Sequence, residues 1–338
     1  MVGNMYKRIV VRRLSTNFRD ATEIVTSAIP THLKSTELMV RNHFVGINAS
    51  DINLTSGRYL PDAIPPFDCG FEALGKVVAV GGNTEHFAVG DPVVTQSYGA
   101  FAEYQIVPSR CAKKVPSLRC EWLPLDLSGT TASISLAEVV KPLKGEVALV
   151  TAAGGGTGQF AVQLLKKVYG CVVIGVTSSP LKENLLRDLG CDHVLVDGQE
   201  PASRILKDFA PTGVNIAYES VGGRMLDVVL DNISLRGRIL SLGSISGYAD
   251  GSSWGGSHSL NASIPMRLLG KSASLHAFFL PHYVKYSRQH FTLLCQMYES
   301  GVLRSVVDSV RFKGLESVPD AIEHMYHRRN KGKVIVEI

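Results

Sequence analysis

The sequence has no C-x-x-C pair and no cysteine cluster: Cys69, Cys111, Cys120, Cys171, Cys191 and Cys295 stand singly along 338 residues. That spacing supports neither a disulfide framework nor a zinc knuckle, and it suits a reducing compartment. Runs of like charge are also missing. With 35 Lys and Arg against 30 Asp and Glu, the net charge of +5 is thinly spread. Nucleic acid therefore finds no basic stripe, although a mild pull on phosphates remains. No apolar stretch approaches the ~18 residues that crossing a bilayer takes, and the N-terminal residues lack an apolar secretory core. The expectation is an intracellular protein with no membrane span, cytoplasmic by preference, with mitochondrial and peroxisomal locations left open.

What the chain does have is apolar material, 45% of its residues, enough for a large core and, at this length, for two domains. Up to about residue 115, short β-rich runs such as Leu38-Met39-Val40 and Gly75 to Gly81 alternate with turn residues, which predicts a barrel-like β domain. From about residue 125, helical stretches alternate with apolar strands at Glu146 to Thr151, Cys171 to Val176, Val214 to Tyr218 and Arg238 to Leu242. That alternation predicts a parallel, doubly wound α/β sheet. The Gly/Ser-rich stretch Asp250 to His258 reads as a flexible connection, or as a lid beside the substrate.

One turn carries the chemistry. The strand ending in Thr151 runs into Ala152-Ala153-Gly154-Gly155-Gly156-Thr157-Gly158 and then into the helical pattern Gln159 to Lys167. Ala152, Gly155 and Gly158 fall in an A-x-x-G-x-x-G register between a strand and a helix. Glycine there lets the backbone approach a pyrophosphate, and the N–H groups and positive end of the helix stabilise its charge. The next strand ends in Thr177-Ser178-Ser179, with Lys182 following. No carboxylate stands there to select a free ribose 2′-hydroxyl, while two hydroxyls and an ammonium suit a 2′-phosphate. NADPH is therefore expected over NADH, with a solvated helix-start lysine as the plain reading of Lys182.

These features, over nearly the full length, resemble the medium-chain dehydrogenase/reductases, whose zinc alcohol dehydrogenases place Cys and His ligands in C-x-[ST]-D and G-H-E segments. The matching segments here read Asn48-Ala49-Ser50-Asp51 and Gly70-Phe71-Glu72. Asn48 and Phe71 supply neither thiolate nor imidazole, so no metal is expected. The chain is similar instead to the zinc-independent branch of quinone oxidoreductases and prostaglandin reductases. That branch carries segments like Gly46 to Asn53 and Phe101-Ala102-Glu103-Tyr104, and Ser56 to Tyr59 before Pro65 to Asp68 is a prostaglandin-reductase trait. The resemblance implies a GroES-like β-rich catalytic domain over residues 1–125 and 288–338, and a Rossmann cofactor domain over 126–287. It assigns cofactor contacts to Ala153, Gly155, Gly156, Thr157 and Gly158 in the first turn and to Thr177, Ser178 and Lys182 at the next strand end. Tyr218, Ser220 and Val221 match a third turn, Gly243, Ser246 and Tyr248 a fourth, Phe278 and Phe279 the strand beside the nicotinamide, and Asn330 the C-terminal N-x-G-K.

Without a metal, reduction of a C=C conjugated to a carbonyl is better supported than reduction of the carbonyl itself. The enolate so formed needs a hydrogen-bond donor, and Tyr59 is the expected one, since a tyrosine phenol, with an ordinary pKa of about 10, stays protonated at neutral pH. Asn48 and Asp51 are expected near the nicotinamide, or as residues that hold the turn after the strand Val40 to Phe44; Tyr98 is a secondary candidate. The expected activity is NADPH-dependent reduction of a hydrophobic enone such as a 15-oxo-prostaglandin. A quinone is the alternative substrate, and a non-catalytic NADPH-binding module is the other alternative. The resemblance further implies a homodimer joined through the edge segment Ser274 to Phe279.

Overall fold

The computed structural model describes residues 5–84, 86–198, 202–251 and 263–338. Most of the Gly/Ser-rich stretch, residues 252–258, lies outside the described residues. The chain divides into two compact units, Met1–Leu127 with Val306–Ile338, and Ser128–Ser305. Among the described residues no helix is long and apolar enough to cross a membrane.

The first unit holds β1 (Met5–Val11), β2 (Thr22–Ala28), β3 (Glu37–Gly46), β4 (Phe67–Asp68), β5 (Glu72–Val80), β6 (Pro92–Gln96), β7 (Tyr104–Pro108) and β8 (Ala112–Lys114). The second unit holds β9 (Val147–Val150), β10 (Val172–Thr177), β11 (His193–Val196), β12 (Val214–Glu219), β13 (Ile233–Ser241) and β14 (Ser274–Ala277). The chain then returns to the first unit with β15 (Phe312–Lys313) and β16 (Ile335–Glu337).

In the first unit, β2-β1-β4 form one sheet, and β15-β16-β3-β5-β6-β8 a larger one in which β7 pairs with β3. The long strand β3 is the hub. Its alternate side chains Leu38 and Val40 enter one apolar cluster with Val77, Val93 and Val107, and Val45 enters another with Ile9, Ile47, Phe101 and Val336. The last strand, β16, lies antiparallel to β3, pairing Ile335 with Gly46, and Ile47 N–H donates to Val334 O at 3.0 Å. This register carries residues 330–334 to the start of the Asn48 segment.

In the second unit the spatial order is β11-β10-β9-β12-β13-β14, all parallel. Numbered within the unit this is 3-2-1-4-5-6, the dinucleotide-binding arrangement, whose ligand crevice lies outside the carboxyl ends of the strands. The GroES-like and Rossmann-type sheets expected from the sequence are both present. The boundary differs, however: the second unit runs on to Ser305 rather than ending at 287. The physical reason is helix Val284–Glu299, whose buried His290 brings Nδ1 within 2.7 Å of Ser133 Oγ on helix Thr130–Ile134.

The strand-to-helix turn is packed to backbone contact. A Cβ on Gly158 would lie 2.4 Å from Ala152 O and 2.9 Å from Ala153 Cα, and neither is a side chain that can swing aside. Gly158→Ala should therefore destabilise the second unit by about 1–3 kcal/mol, the usual cost of overpacking. Thermal unfolding checks this, and an unchanged Tm would show that the turn yields without cost.

Candidate active site

The glycine turn is fastened on both sides. Thr151 N–H donates to Tyr218 O at 3.0 Å, and Ala153 N–H to Val176 O at 3.0 Å, so the turn is tied to β12 and to β10. Ala152 takes a left-handed φ of 46°, and Gly155 N–H closes back on Ala152 O at 2.9 Å. Gly156 and Thr157 then lead into helix Gly158–Lys167, whose N-cap Thr157 gives no side-chain cap. Gln159 N–H bonds Gly155 O at 3.3 Å and Phe160 N–H bonds Thr157 O at 3.1 Å, so the first turn is drawn in tightly, and its N–H groups sit at the positive end of the helix. Backbone this close, with no Cβ in the way at Gly155 or Gly158, fits a pyrophosphate.

The next strand end forms a small polar cradle. Thr177 is buried at the end of β10 and its Oγ1 accepts Ser179 N–H at 3.3 Å, while Ser178 is exposed. Ser179 Oγ in turn accepts Leu181 N–H, which starts the short turn Pro180–Lys182. Lys182 is only 7% exposed, and a Cβ on Gly154 would come within 3.3 Å of its Cδ, so its stem lies across the glycine turn. The end of β10 carries no carboxylate of its own, but the fold delivers one from the neighbouring strand. Asp197 donates its N–H to Thr177 O at 2.8 Å, and its carboxylate is paired with Arg224. Only the β10–β11 pairing reveals this neighbour.

The third and fourth turns are knitted together. Glu219, buried at the end of β12, accepts N–H bonds from Val221 at 2.8 Å and Gly222 at 2.9 Å through Oε1, and burial raises its pKa. Ser220 N–H donates to Thr151 Oγ1 at 2.9 Å; Ile245 N–H reaches Ser220 O and Ser246 N–H reaches Val221 O at 3.0 Å. Gly243 is held against Tyr248, whose phenol oxygen accepts Ser244 N–H at 3.0 Å. Tyr248 thus braces the turn from inside. Tyr218, expected at the cofactor, has its ring fully buried at the end of β12, and its backbone O accepts Thr151 N–H. Phe278 is buried and stacked on Tyr283 at 4.6 Å, whereas Phe279 is 42% exposed.

The first unit gathers the other candidates. Lys333 and Glu72 form an ion pair whose side chains are 2% and 0% exposed. Lys333 Nζ also donates to Asn48 Oδ1 at 2.6 Å, and Asn48 Nδ2 donates to Glu72 Oε1 at 2.9 Å. Gly46 makes room, since a Cβ there would lie 2.5 Å from Glu72 Oε1. Asp51 Oδ2 accepts Asn48 N–H at 2.8 Å, while Asp51 Oδ1 and Glu72 Oε2 are buried without a partner. Asn330, expected at the cofactor, is buried and spends its amide on Gly332 O at 2.8 Å, shaping the turn that presents Lys333. Tyr59 is half-buried in an aromatic row: its ring is edge-on to Phe71 at 6.2 Å, and Phe71 lies 5.5 Å from Tyr98. Glu72 and Lys333 are the residues that the sequence reading passed over, although both stand inside quoted motifs.

Residues 34–117 match the alcohol dehydrogenase GroES-like domain, and residues 156–288 match the zinc-binding dehydrogenase family. The chain is 43% identical to a probable quinone oxidoreductase of Leishmania amazonensis over 98% of both chains. It is 45% identical to prostaglandin reductase-3 of Bos taurus over all of this chain and 90% of that one. The chain belongs to the medium-chain dehydrogenase/reductases, in their quinone oxidoreductase and prostaglandin reductase branch. The structure of Escherichia coli quinone oxidoreductase complexed with NADPH superposes with a TM-score of 0.83 at 25% identity, covering 98% of this chain and all of that one.

A metal fits this member of the family poorly on the chemistry of its donors. Phe71 has no lone pair to give, and the Asn48 amide oxygen already faces the Lys333 ammonium, which would repel a cation. Among the described residues no group of three or more His, Cys, Asp or Glu gathers to hold one.

Burial pushes the Asp51 pKa up to about 8; the Asn48 N–H and Lys333 oppose this and Glu72 adds to it. Folded Asp51 thus keeps a proton that the unfolded chain releases above pH ~4. Because the folded state binds more protons across that window, this residue lowers stability as pH rises from about 4 to about 8, with no further change above. Asp51→Asn cannot titrate, so its Tm relative to the parent should climb between about pH 5 and pH 8 and then level off. A Tm difference independent of pH would contradict a neutral Asp51.

Proposed function

We propose that the protein is an NADPH-dependent reductase of the conjugated C=C of α,β-unsaturated carbonyls, with a hydrophobic enone such as a 15-oxo-prostaglandin, reduced at carbon 13, as the favoured substrate. The observation that carries this reading is the pair Phe71 and Lys333-bound Asn48, which leaves the family's metal positions without a Lewis acid. Conjugate reduction is the chemistry that least needs one. The Bos taurus prostaglandin reductase at 45% identity supports the enone, and the Leishmania quinone oxidoreductase at 43% supports a quinone as the second reading.

When bound, NADPH supplies the hydride. This chain's part is to bind and orient: the turn from Ala153 to Gly158 takes the pyrophosphate, and Thr177, Ser178 and Lys182 take the 2′-phosphate, Arg224 neutralising Asp197 nearby. Ser220, Val221, Gly243 and Ser246 supply turn backbone along the strand ends, and Phe279 supplies an exposed ring. Tyr59, held on Phe71, donates its phenolic hydrogen to the developing enolate oxygen. The edge strand β14, with Leu275 38% exposed, supports a homodimer joined strand to strand, since an edge left open exposes unpaired backbone groups. Six free cysteines support a cytoplasmic location.

The deciding experiment is NADPH oxidation with a 15-oxo-prostaglandin, a short alkenal and an ortho-quinone, with product masses recorded. Gain of two hydrogens at the double bond with the ketone intact is the expected result; turnover of the quinone alone would shift the assignment to the second reading. Tyr59→Phe should lower kcat about 10²-fold, the usual loss of an oxyanion donor, with NADPH affinity nearly unchanged; full activity would remove Tyr59 from the mechanism. Lys182→Ala should weaken NADPH about 10-fold to 100-fold, the worth of charge-assisted hydrogen bonds, and NADH hardly at all. Equal losses for the two cofactors would contradict the 2′-phosphate assignment.

A further inference from the structure

A primary amide offers two hydrogens to donate and two lone pairs to accept. Both Asn48 hydrogens are committed inside the protein, Nδ2 donating to Glu72 Oε1 at 2.9 Å and to Gly46 O at 3.3 Å. Its Oδ1 accepts Lys333 Nζ at 2.6 Å, and Lys333 closes the ring by pairing with Glu72. Flipping the amide would set Oδ1 against a carboxylate and Nδ2 against an ammonium, acceptor on acceptor and donor on donor. One orientation therefore survives. It leaves a single lone pair of Oδ1 for any ligand and no N–H at all.

We propose that Lys333 and Glu72 are positioning residues that fix Asn48 as a pure acceptor toward its ligand. Asn48 then receives a hydroxyl or amide N–H of the bound molecule and contributes nothing to the developing oxyanion, which is left to donors such as Tyr59. This rests on the reductase reading above and sharpens it, because the sequence named Tyr59 as the donor and set Asn48 near the nicotinamide, or in its turn, without a hydrogen-bonding polarity. The ring is also costly to break: removing Lys333 strands a buried carboxylate, and a buried charge without its partner is strongly destabilising. Loss of stability alone would thus be an uninformative result, and the test has to read polarity.

The test is a charge exchange around the ring, following Tm, NADPH affinity by cofactor fluorescence, and kcat and KM for the enone. Asn48→Asp sets two carboxylates side by side, and Glu72→Gln frees the amide to flip; each should lose about 10-fold or more in kcat/KM. In the double variant, the new amide at position 72 donates to the new carboxylate at position 48, and Lys333 pairs with that carboxylate, restoring an acceptor there. Recovery of most of the lost kcat/KM, well beyond the product of the single effects, is the expected result. A double variant with recovered Tm that stays as slow as the slower single would mean that residue 48 must donate a hydrogen, and would overturn the proposal. Lys333→Met should lower kcat/KM per folded molecule; a parental value there would also overturn it.

If the double variant does not fold, the parent protein decides through its ¹⁵N-labelled asparagine amides, the Asn48 signal being assigned by its loss in Asn48→Ser. Both Asn48 amide hydrogens should keep their shifts and slow exchange when NADPH, and then a non-reducible enone analogue, is added. A hydrogen transferred into a new bond with either ligand would sink the assignment. Failure of the parent to turn over any enone would count against the reductase reading, while the NMR result with NADPH still decides the polarity of Asn48.

Discussion

The buried ion pair between Lys333 and Glu72 is the constraint on which the first unit's site depends. A buried charge is tolerable only when it is paired and hydrogen-bonded, and here one ammonium must serve a pocket containing two carboxyl groups. It pairs with Glu72, and Asp51 is left to carry a proton, with a pKa of about 8. The same ammonium sets the polarity of Asn48 and makes the place inhospitable to a metal cation. The oriented amide and the repulsion of a cation thus share one electrostatic cause, while Asp51 keeps its proton through burial, against the pull of Lys333.

That arrangement requires the chain to come back. Lys333 is 285 residues from Asn48, and it arrives because β16 pairs with β3 and because Asn330 and Gly332 turn the chain just before it. Gly332 adopts φ 82° and its absent side chain leaves room for Val306 O, so the turn has no slack for a larger residue. The geometry of the polar ring in this unit is thus inherited from β-sheet register, the ring forming as the register closes.

The second unit reaches order by a different route. Its strand order brings four turns to one end of a parallel sheet, and hydrogen bonds between successive turns hold them there, Thr151 to the third and Val221 to the fourth. Glu219 and Tyr248 work from beneath, each accepting backbone N–H groups that the turns would otherwise leave unsatisfied. In the third and fourth turns the side chains of Glu219 and Tyr248 thus support the backbone that shapes them.

The sequence by itself determined the two-unit organisation, the strand–glycine–helix turn and the identity of the side chains at the metal positions. Each of these is local: a glycine turn between two periodic runs is visible within twenty residues, and Asn48 and Phe71 lack the donors whatever surrounds them. The tertiary structure alone decided that Tyr218 faces the core, that Asp197 lies beside Thr177, that helix Val284–Glu299 belongs to the second unit, and that Lys333 meets Glu72. Those outcomes follow from which strands pair and which face of each is buried. Such pairing is set by packing over the whole unit, and no window of sequence contains it.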